Sequence, residues 1–252
     1  MNNKNLKTRR NASESEEALR AELYKMFNNS PIPSNELITN LSLYLKRQDL
    51  SQILFMNHLY KKILNVHGNI FEFGVRWGRN LALYSNLRGV YEPFNHNRKI
   101  VGFDTFDGFE SIDSKDGKGS AIEKGAFNVS DNYIEYLKPL LDYHEKENPI
   151  PHIKKYELIK GDATKTIKSY LKNNEHTVIA LAYFDFDIYK PTFDCLEAIK
   201  DRLTKGSVVG FDELNYEAYP GETLALKEVF GLNKINLKRT PYSGVQSYFV
   251  ID

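Results

Sequence analysis

The stretch HTVIALAYFDFD, residues 176–187, is almost continuously apolar and ends on two aspartates. A run this short buries both its faces only as a central strand with helices packed on either side, so it commits the chain to an α/β sheet that is mostly parallel. The sequence around it alternates in the same sense. NIFEFGV (69–75) reads as a strand and Gly78 to Tyr91 as a helix. RKIVGFDTF (98–106) and KKYELIKGDA (154–163) read as strands, each followed by a helical pattern. The first of those helices, 130–147, has Ser130 as its cap and Ile134, Leu137, Leu141 and His144 along one face. A helix over 192–203, the strand GSVVGFDEL (206–214) and the helix ETLALKEVFG (222–231) follow. NKINLKRT and VQSYFVID are joined by only Pro241 to Gly244, and strands connected so briefly are antiparallel. The expected fold is a doubly wound, Rossmann-like sheet of seven strands with a reversed C-terminal strand.

A helical N-terminal region precedes the first strand. Residues 1–12 are polar and basic and are expected to form a disordered tail. In residues 13–67, Ser13 and Glu16 have capping-box spacing, and Leu19, Leu23, Met26 and Phe27 share a helical face. NNSPIPSNE reads as a loop, after which Leu37, Leu41, Leu45, Leu50, Ile53, Leu54 and Leu59 recur at helical spacing. Residues 68–252 form the sheet domain. A formal net charge of +1 gives no bulk attraction to nucleic acid or to an anionic membrane. One cysteine excludes an internal disulfide, and the helical spacing around Cys195 makes it a buried filler. No apolar run is long enough to span a bilayer and the N-terminus has no signal-peptide core, so a soluble, cytoplasmic protein is expected.

Ligands of open α/β sheets bind beyond the carboxyl ends of the strands. The first strand ends FEFGVRWGRN: Glu72 points up, Gly74 permits a tight turn and Gly78 a close backbone approach. Gly74 and Gly78 lack the third glycine of a dinucleotide loop, and Arg76 and Trp77 fill the turn. An acid at this position suits an ammonium or hydroxyl groups, whereas a plain glycine-containing loop is the bland reading. Asp104, at the second strand end, is placed to accept from both hydroxyls of a ribose. Asp162, at the third, is placed to accept from an adenine amino group or to cap the helix that follows. Asp185 and Asp187 at the fourth strand end meet Asp212 and Glu213 at the fifth. Clustered carboxylates without histidine or cysteine suit Mg²⁺ or Mn²⁺; alternatively, one carboxylate orients a ligand and the rest are solvated.

The ordered set FEFGVRWGRN, VGFDTFDGF, GAFNVS, GDATKTI, DFDIYKPTFDCLEAI and GSVVGFDEL resembles the macrocin O-methyltransferase (TylF/MycF) family of class I S-adenosylmethionine-dependent methyltransferases, over Gly68 to Asp252. The resemblance implies that Glu72, Gly74 and Gly78 line the methionine end of the cofactor, that Asp104 binds its ribose, and that Asp162 and Ala163 border its adenine. It implies a magnesium site at Asp185, Asp212 and Glu213, with Asp-Glu where the family typically has Asp-Asp. The helical N-terminus resembles the family's lid and oligomer-forming region, which implies a homodimer or larger homo-oligomer.

The expected activity is metal-assisted methylation of a hydroxyl on a small polar acceptor, such as a sugar or a phosphorylated metabolite, with neither nucleic acid nor membrane as partner. Asp185, Lys190 or solvent takes the hydroxyl proton. The competing readings are an NAD-dependent oxidoreductase, disfavoured by the missing glycine and by the lack of a Tyr-x-x-x-Lys pair after the fourth strand, and a non-catalytic relative of the fold.

Overall fold

The computed structural model describes residues 12–118 and 122–252, so the expected tail lies outside the described residues except for Ala12. The first elements among the described residues are α1 (Glu14–Asn28), α2 (Ser34–Thr39) and α3 (Arg47–Lys62), with a 3-10 turn, Leu41–Tyr44, between the last two. The capping box expected at the start of α1 is present: Ser13 accepts from the Glu16 amide, and the Glu16 carboxylate accepts from the Ser13 amide at 2.9 Å. Strand and helix then alternate as β1 (Asn69–Phe73), α4 (Arg79–Tyr91), β2 (Ile100–Asp104), α5 (Tyr133–Glu147), β3 (Tyr156–Lys160), α6 (Ala163–Asn173), β4 (Ile179–Phe184), α7 (Tyr189–Ile199), β5 (Leu203–Phe211) and α8 (Gly221–Val229). β6 (Lys238–Arg239) and β7 (Ser247–Val250) close the sheet.

The sheet order is β3-β2-β1-β4-β5-β7-β6. The first five are parallel, β7 runs antiparallel to β5, and β6 antiparallel to β7, as the brief C-terminal connection requires. The order reverses between β1 and β4, which opens a crevice at their carboxyl ends. Three elements differ from the sequence reading. The helix expected from Ser130 begins at Tyr133, because Asn132 takes a left-handed φ of +58° and stands at the N-cap, so Ser130 does not cap it. The helix expected over 192–203 starts at Tyr189 and stops at Ile199, because Leu203, although in helical phase with Ile199, pairs with Ile179 and opens β5. The strand in NKINLKRT shrinks to Lys238–Arg239 because Leu232–Lys234 takes a 3-10 turn.

One sheet face carries Phe71, Phe73, Phe103, Phe184, Phe211 and Phe249 against α6, α7 and α8. Across it runs a stack of rings: Phe103 to Phe73 at 5.1 Å, Phe73 to Phe184 at 4.6 Å, Phe184 to Phe211 at 5.3 Å and Phe211 to Phe249 at 6.5 Å, all within 20° of parallel. Phe73 is level with Phe103 and Phe184, and Phe184 with Phe211. The residues that follow these rings, Gly74, Asp104, Asp185 and Asp212, therefore emerge in one row. The other face packs Ile70, Ile100, Leu181, Tyr183, Val208 and Tyr248 against α3, α4 and α5. Cys195 is buried among apolar side chains, and burial pushes its thiol well above the ordinary range, in keeping with a filler. Among the described residues no helix is long and apolar enough to cross a membrane.

The amino ends of the strands are held by two buried arginines. Arg98 donates to the carbonyls of Ile63 (3.0 Å), Val66 (2.9 Å) and Gly68 (2.6 Å) and pairs with Glu92. Arg88 donates to the carbonyls of Arg98 and Lys155 and pairs with Glu145, which also accepts from the Lys155 amide. Phe184→Ala, which opens a gap in the middle of the ring stack, is expected to cost about 3–5 kcal/mol in urea unfolding. A loss below about 1 kcal/mol would mean that the stack is incidental to stability.

Candidate active site

The row of residues above the rings forms the floor of a cavity of about 580 Å³. Gly74 has φ +95°, and a Cβ there would run into the backbone of Asp185, so only glycine lets the β1 turn lie against the end of β4. Arg76 follows at φ +49° and Gly78 at +76°, where α4 begins. The guanidinium of Arg76 lies 5.2 Å from the centroid of Phe127 and 5.9 Å from that of Trp77. Burial lowers its pKa, and the charges of Asp185, Asp187 and Asp104 counter that effect.

Gly74, Asp104, Asp162, Ala163, Asp185, Asp212 and Glu213 all line the cavity. Glu72 and Gly78 stand behind the wall. Gly78 packs against Leu137, where a Cβ would collide. Glu72 is buried with its Oε2 unpartnered, and burial pushes its pKa up to about 8 against the hydrogen bond from Asn80. Asp104 accepts from the amides of Arg76 (2.7 Å) and Phe106 (2.6 Å), so its carboxylate braces the first turn while lining the cavity. Asp162 caps α6, accepting from the Thr164 amide at 3.0 Å and the Thr164 hydroxyl at 2.7 Å. Lys190, the second candidate base, lines the cavity with its ammonium 2.5 Å from Asp194.

The fourth and fifth strand ends gather negative charge. Burial, then the charges of Asp212, Asp187, Glu222 and Glu72, pushes Asp185 well above the carboxylate range. Burial and Asp212 raise Asp187 to about 7, while Arg76 opposes the rise. Burial, Asp187 and Asp212 raise Glu213 to about 8, and its Oε2 has no hydrogen-bond partner. Asp212 differs in that its Oδ1 accepts from the Tyr183 hydroxyl (2.6 Å), Gln246 (2.8 Å) and Gln52 (3.4 Å). Among the described residues no group of three or more His, Cys, Asp or Glu side chains is arranged to hold a metal ion. The donors are nonetheless all carboxylate oxygens, and buried like charges of this kind suit a hard cation.

Sequence reasoning missed Tyr183, Gln52, Gln246, Asp116 and Glu222. The two glutamines and the tyrosine lie on α3, before β7 and within β4, far apart in the chain, and nothing local marks them. Glu222 reads as an ordinary acid in the first turn of a helix.

Neither a protein-family model nor a curated protein sequence matches the chain. Among solved structures, the crystal structure of CalS11, a calicheamicin methyltransferase, is 43% identical, with a TM-score of 0.93 over 99% of this chain and 98% of that one. An apo structure of CalS11, described as a TDP-rhamnose 3'-O-methyltransferase of calicheamicin biosynthesis, is 42% identical, with a TM-score of 0.84 over 95% of both chains. The O-methyltransferase NovP shares the fold at 17% identity and a TM-score of 0.61, over 80% of this chain and 79% of that one.

Glu72 gives the ligand-free protein a pH signature. Its carboxyl titrates at about 8 in the fold and at about 4.3 in an unfolded chain. The folded state therefore holds the proton longer. Its contribution to stability is whole below pH about 4 and drains away as the pH rises to about 8, at about 1.4 kcal/mol per pH unit. Glu72→Gln, which keeps the shape without the charge, should flatten that decline in urea titrations between pH 5 and 8. An unchanged slope would mean that Glu72 titrates as an ordinary carboxylate.

Proposed function

The chain belongs to the macrocin O-methyltransferase (TylF/MycF) family of S-adenosylmethionine-dependent methyltransferases, and from that membership we propose that its acceptor is a sugar hydroxyl, carried on a nucleotide-activated 6-deoxyhexose. The observation that carries the proposal is the identity to CalS11, 43% over nearly the whole of both chains. The oxidoreductase and non-catalytic readings fall with that membership: the chain is an S-adenosylmethionine-dependent O-methyltransferase.

The cavity suits such a cofactor. Gly74 leaves room for the methionine end to approach the backbone, Asp104 faces the ribose position, and Asp162 with Ala163 borders the adenine. Glu72 and Gly78 act from behind the wall, by setting the turn. When bound, S-adenosylmethionine supplies a methyl already activated on sulfonium, which leaves the protein to align the acceptor oxygen and to take its proton. Asp185 takes that proton. Its carboxyl lines the cavity, and burial with the charges of its neighbours raises it above the carboxylate range, the direction that favours holding a proton. Lys190 is the weaker candidate because its ammonium is engaged by Asp194. A magnesium or manganese ion, held by Asp185, Asp212 and Glu213, would supply Lewis acidity to the acceptor hydroxyl. Tyr183, Gln52 and Gln246, which do not line the cavity, hold Asp212 in place, and Glu213 lines the cavity and keeps a buried oxygen with no hydrogen-bond partner.

A homodimer is part of the same reading. α1, α2 and the turn Leu41–Tyr44 contain no buried residue, and Leu19, Ile38 and Leu43 are 66%, 72% and 64% exposed. An apolar surface of this kind is covered in solution, here by a second copy. The charge balance and the membrane-free helices fit a cytoplasmic enzyme without a nucleic-acid partner.

With TDP-rhamnose as acceptor, Asp185→Asn is expected to lower kcat by about 10²–10³. S-adenosylhomocysteine affinity, read by calorimetry, should stay within about threefold of wild type. Surviving turnover would remove Asp185 from the chemistry. A chelator is expected to stop wild-type turnover and added magnesium or manganese to restore it; turnover indifferent to chelation would remove the metal.

A further inference from the structure

The segment 185–189 after β4 carries Asp185 and Asp187 into the cavity, and its Phe186, Asp187 and Tyr189 amides find their partners outside the sheet. Asp187 sits at φ +62°, where an L side chain is strained. Two acids from distant parts of the chain bind this backbone. Glu222, in the first turn of α8, accepts from the Phe186 amide at 2.9 Å and from the Asp187 amide at 3.2 Å through one oxygen. Asp116, at the end of the 3-10 turn Ser114–Asp116, accepts from the Tyr189 amide at 2.5 Å and, with its other oxygen, from the Asp113 amide at 2.6 Å.

Both side chains are buried, and among the described residues neither makes an ion pair. Buried carboxylates without a cation are costly, so their presence needs a reason. The packing around them is close. A Cβ on Gly221 would stand 2.8 Å from both Asp116 Oδ1 and the carbonyl carbon of Ile188, so only glycine admits α8 beside this junction. A second set of bonds ties the same pieces together: Glu228 on α8 accepts from the Tyr189 hydroxyl and from Lys115 Nζ, each at 2.7 Å. Lys115 also lies 4.0 Å from the centroid of the Tyr189 ring. The Asp113–Asp116 turn therefore joins α8 and the acidic loop to a stretch of chain that walls the cavity through Phe109, Glu110 and Ser111.

We propose that Glu222 and Asp116 are positioning residues for methyl transfer: by holding the amides of Phe186, Asp187 and Tyr189 they set where Asp185 and Asp187 stand in the cavity, and Asp116 ties that setting to the chain that walls the site. The proposal rests on the reading of Asp185 as the proton acceptor, and it has a readout that does not need turnover.

Glu222→Gln keeps an oxygen that accepts, whereas Glu222→Leu and Asp116→Leu remove it. In hydrogen exchange of the intact protein, the two leucine variants are expected to exchange at least about tenfold faster over residues 184–190. The strands should remain protected and the unfolding midpoint close to wild type, and Glu222→Gln should exchange as wild type does. With S-adenosylmethionine and TDP-rhamnose, the leucine variants should lose about 10–100-fold in kcat with KM within about threefold, and glutamine should recover most of the loss. Unchanged exchange over 184–190 would overturn the proposal. So would loss of protection across the whole sheet, which would make the pair plain supports of the fold, and so would a glutamine variant as impaired as leucine. If wild type fails to turn over TDP-rhamnose, the acceptor assignment falls, and exchange still decides the role of the two acids.

Discussion

The stacked rings of Phe103, Phe73, Phe184, Phe211 and Phe249 hold the strands in register, and the rest of the site depends on that register. Side chains alternate between the faces of a strand, so a slip of one residue would carry a phenylalanine to the wrong face and its following residue out of the cavity. Offset stacking contributes about 0.5–1.5 kcal/mol per pair beyond burial, and four successive contacts of this kind make slippage costly. Main-chain bonds continue the order past the rings. The Gly74 amide donates to Phe103, the Asp185 amide to Phe73 and the Asp212 amide to Phe184. Strand order decides which loops are neighbours; the rings decide which atoms are.

The two ends of the sheet solve opposite electrostatic problems. At the amino ends, Arg98 and Arg88 sit fully buried, each with a carboxylate and several carbonyls as partners. Charge there is matched, and its role is to hold strand starts together. At the carboxyl ends, Asp185, Asp187, Glu213 and Glu222 are all raised by burial and by the charge of Asp212, and Arg76 faces Asp185 and Asp187. Unpartnered oxygens on Glu72, Glu213 and Glu222 lie on this side. A fold that tolerates such frustration at one end and removes it at the other marks where ligands are expected.

Much of this was legible before any coordinates. The strand ends in FEFG, GFD, YFDF and GFDE placed Gly74, Asp104, Asp185 and Asp212 where ligands of such sheets bind, and the structure brings all four to the cavity floor; that the phenylalanine before each joins one stack depends on the register between strands, which the sequence does not carry. The reversed last strand followed from the brevity of its connection. What escaped was of two kinds. Some residues act over distances that local patterns do not carry: Gln52 and Gln246 read as polar residues on a helix and beside a strand, and both reach Asp212. Others look like surface charges: Arg88 sits in a helical run and Arg98 at the outer end of a strand pattern, yet both are buried because the carbonyls that receive them come mostly from other segments. Asp104 illustrates a role that types and spacing leave undivided, since it both lines the cavity and braces the turn above it.

Gln246 bonds to Gln52, 194 residues away, and to Asp212. Gln52 lies on α3, ahead of the sheet, and Gln246 on the connection into β7, whereas the third partner, Tyr183, comes from the neighbouring strand β4. The hold on Asp212 is therefore complete only where the N-terminal helical region meets the C-terminal strands, so a change in how α3 docks on the sheet reaches the acid directly.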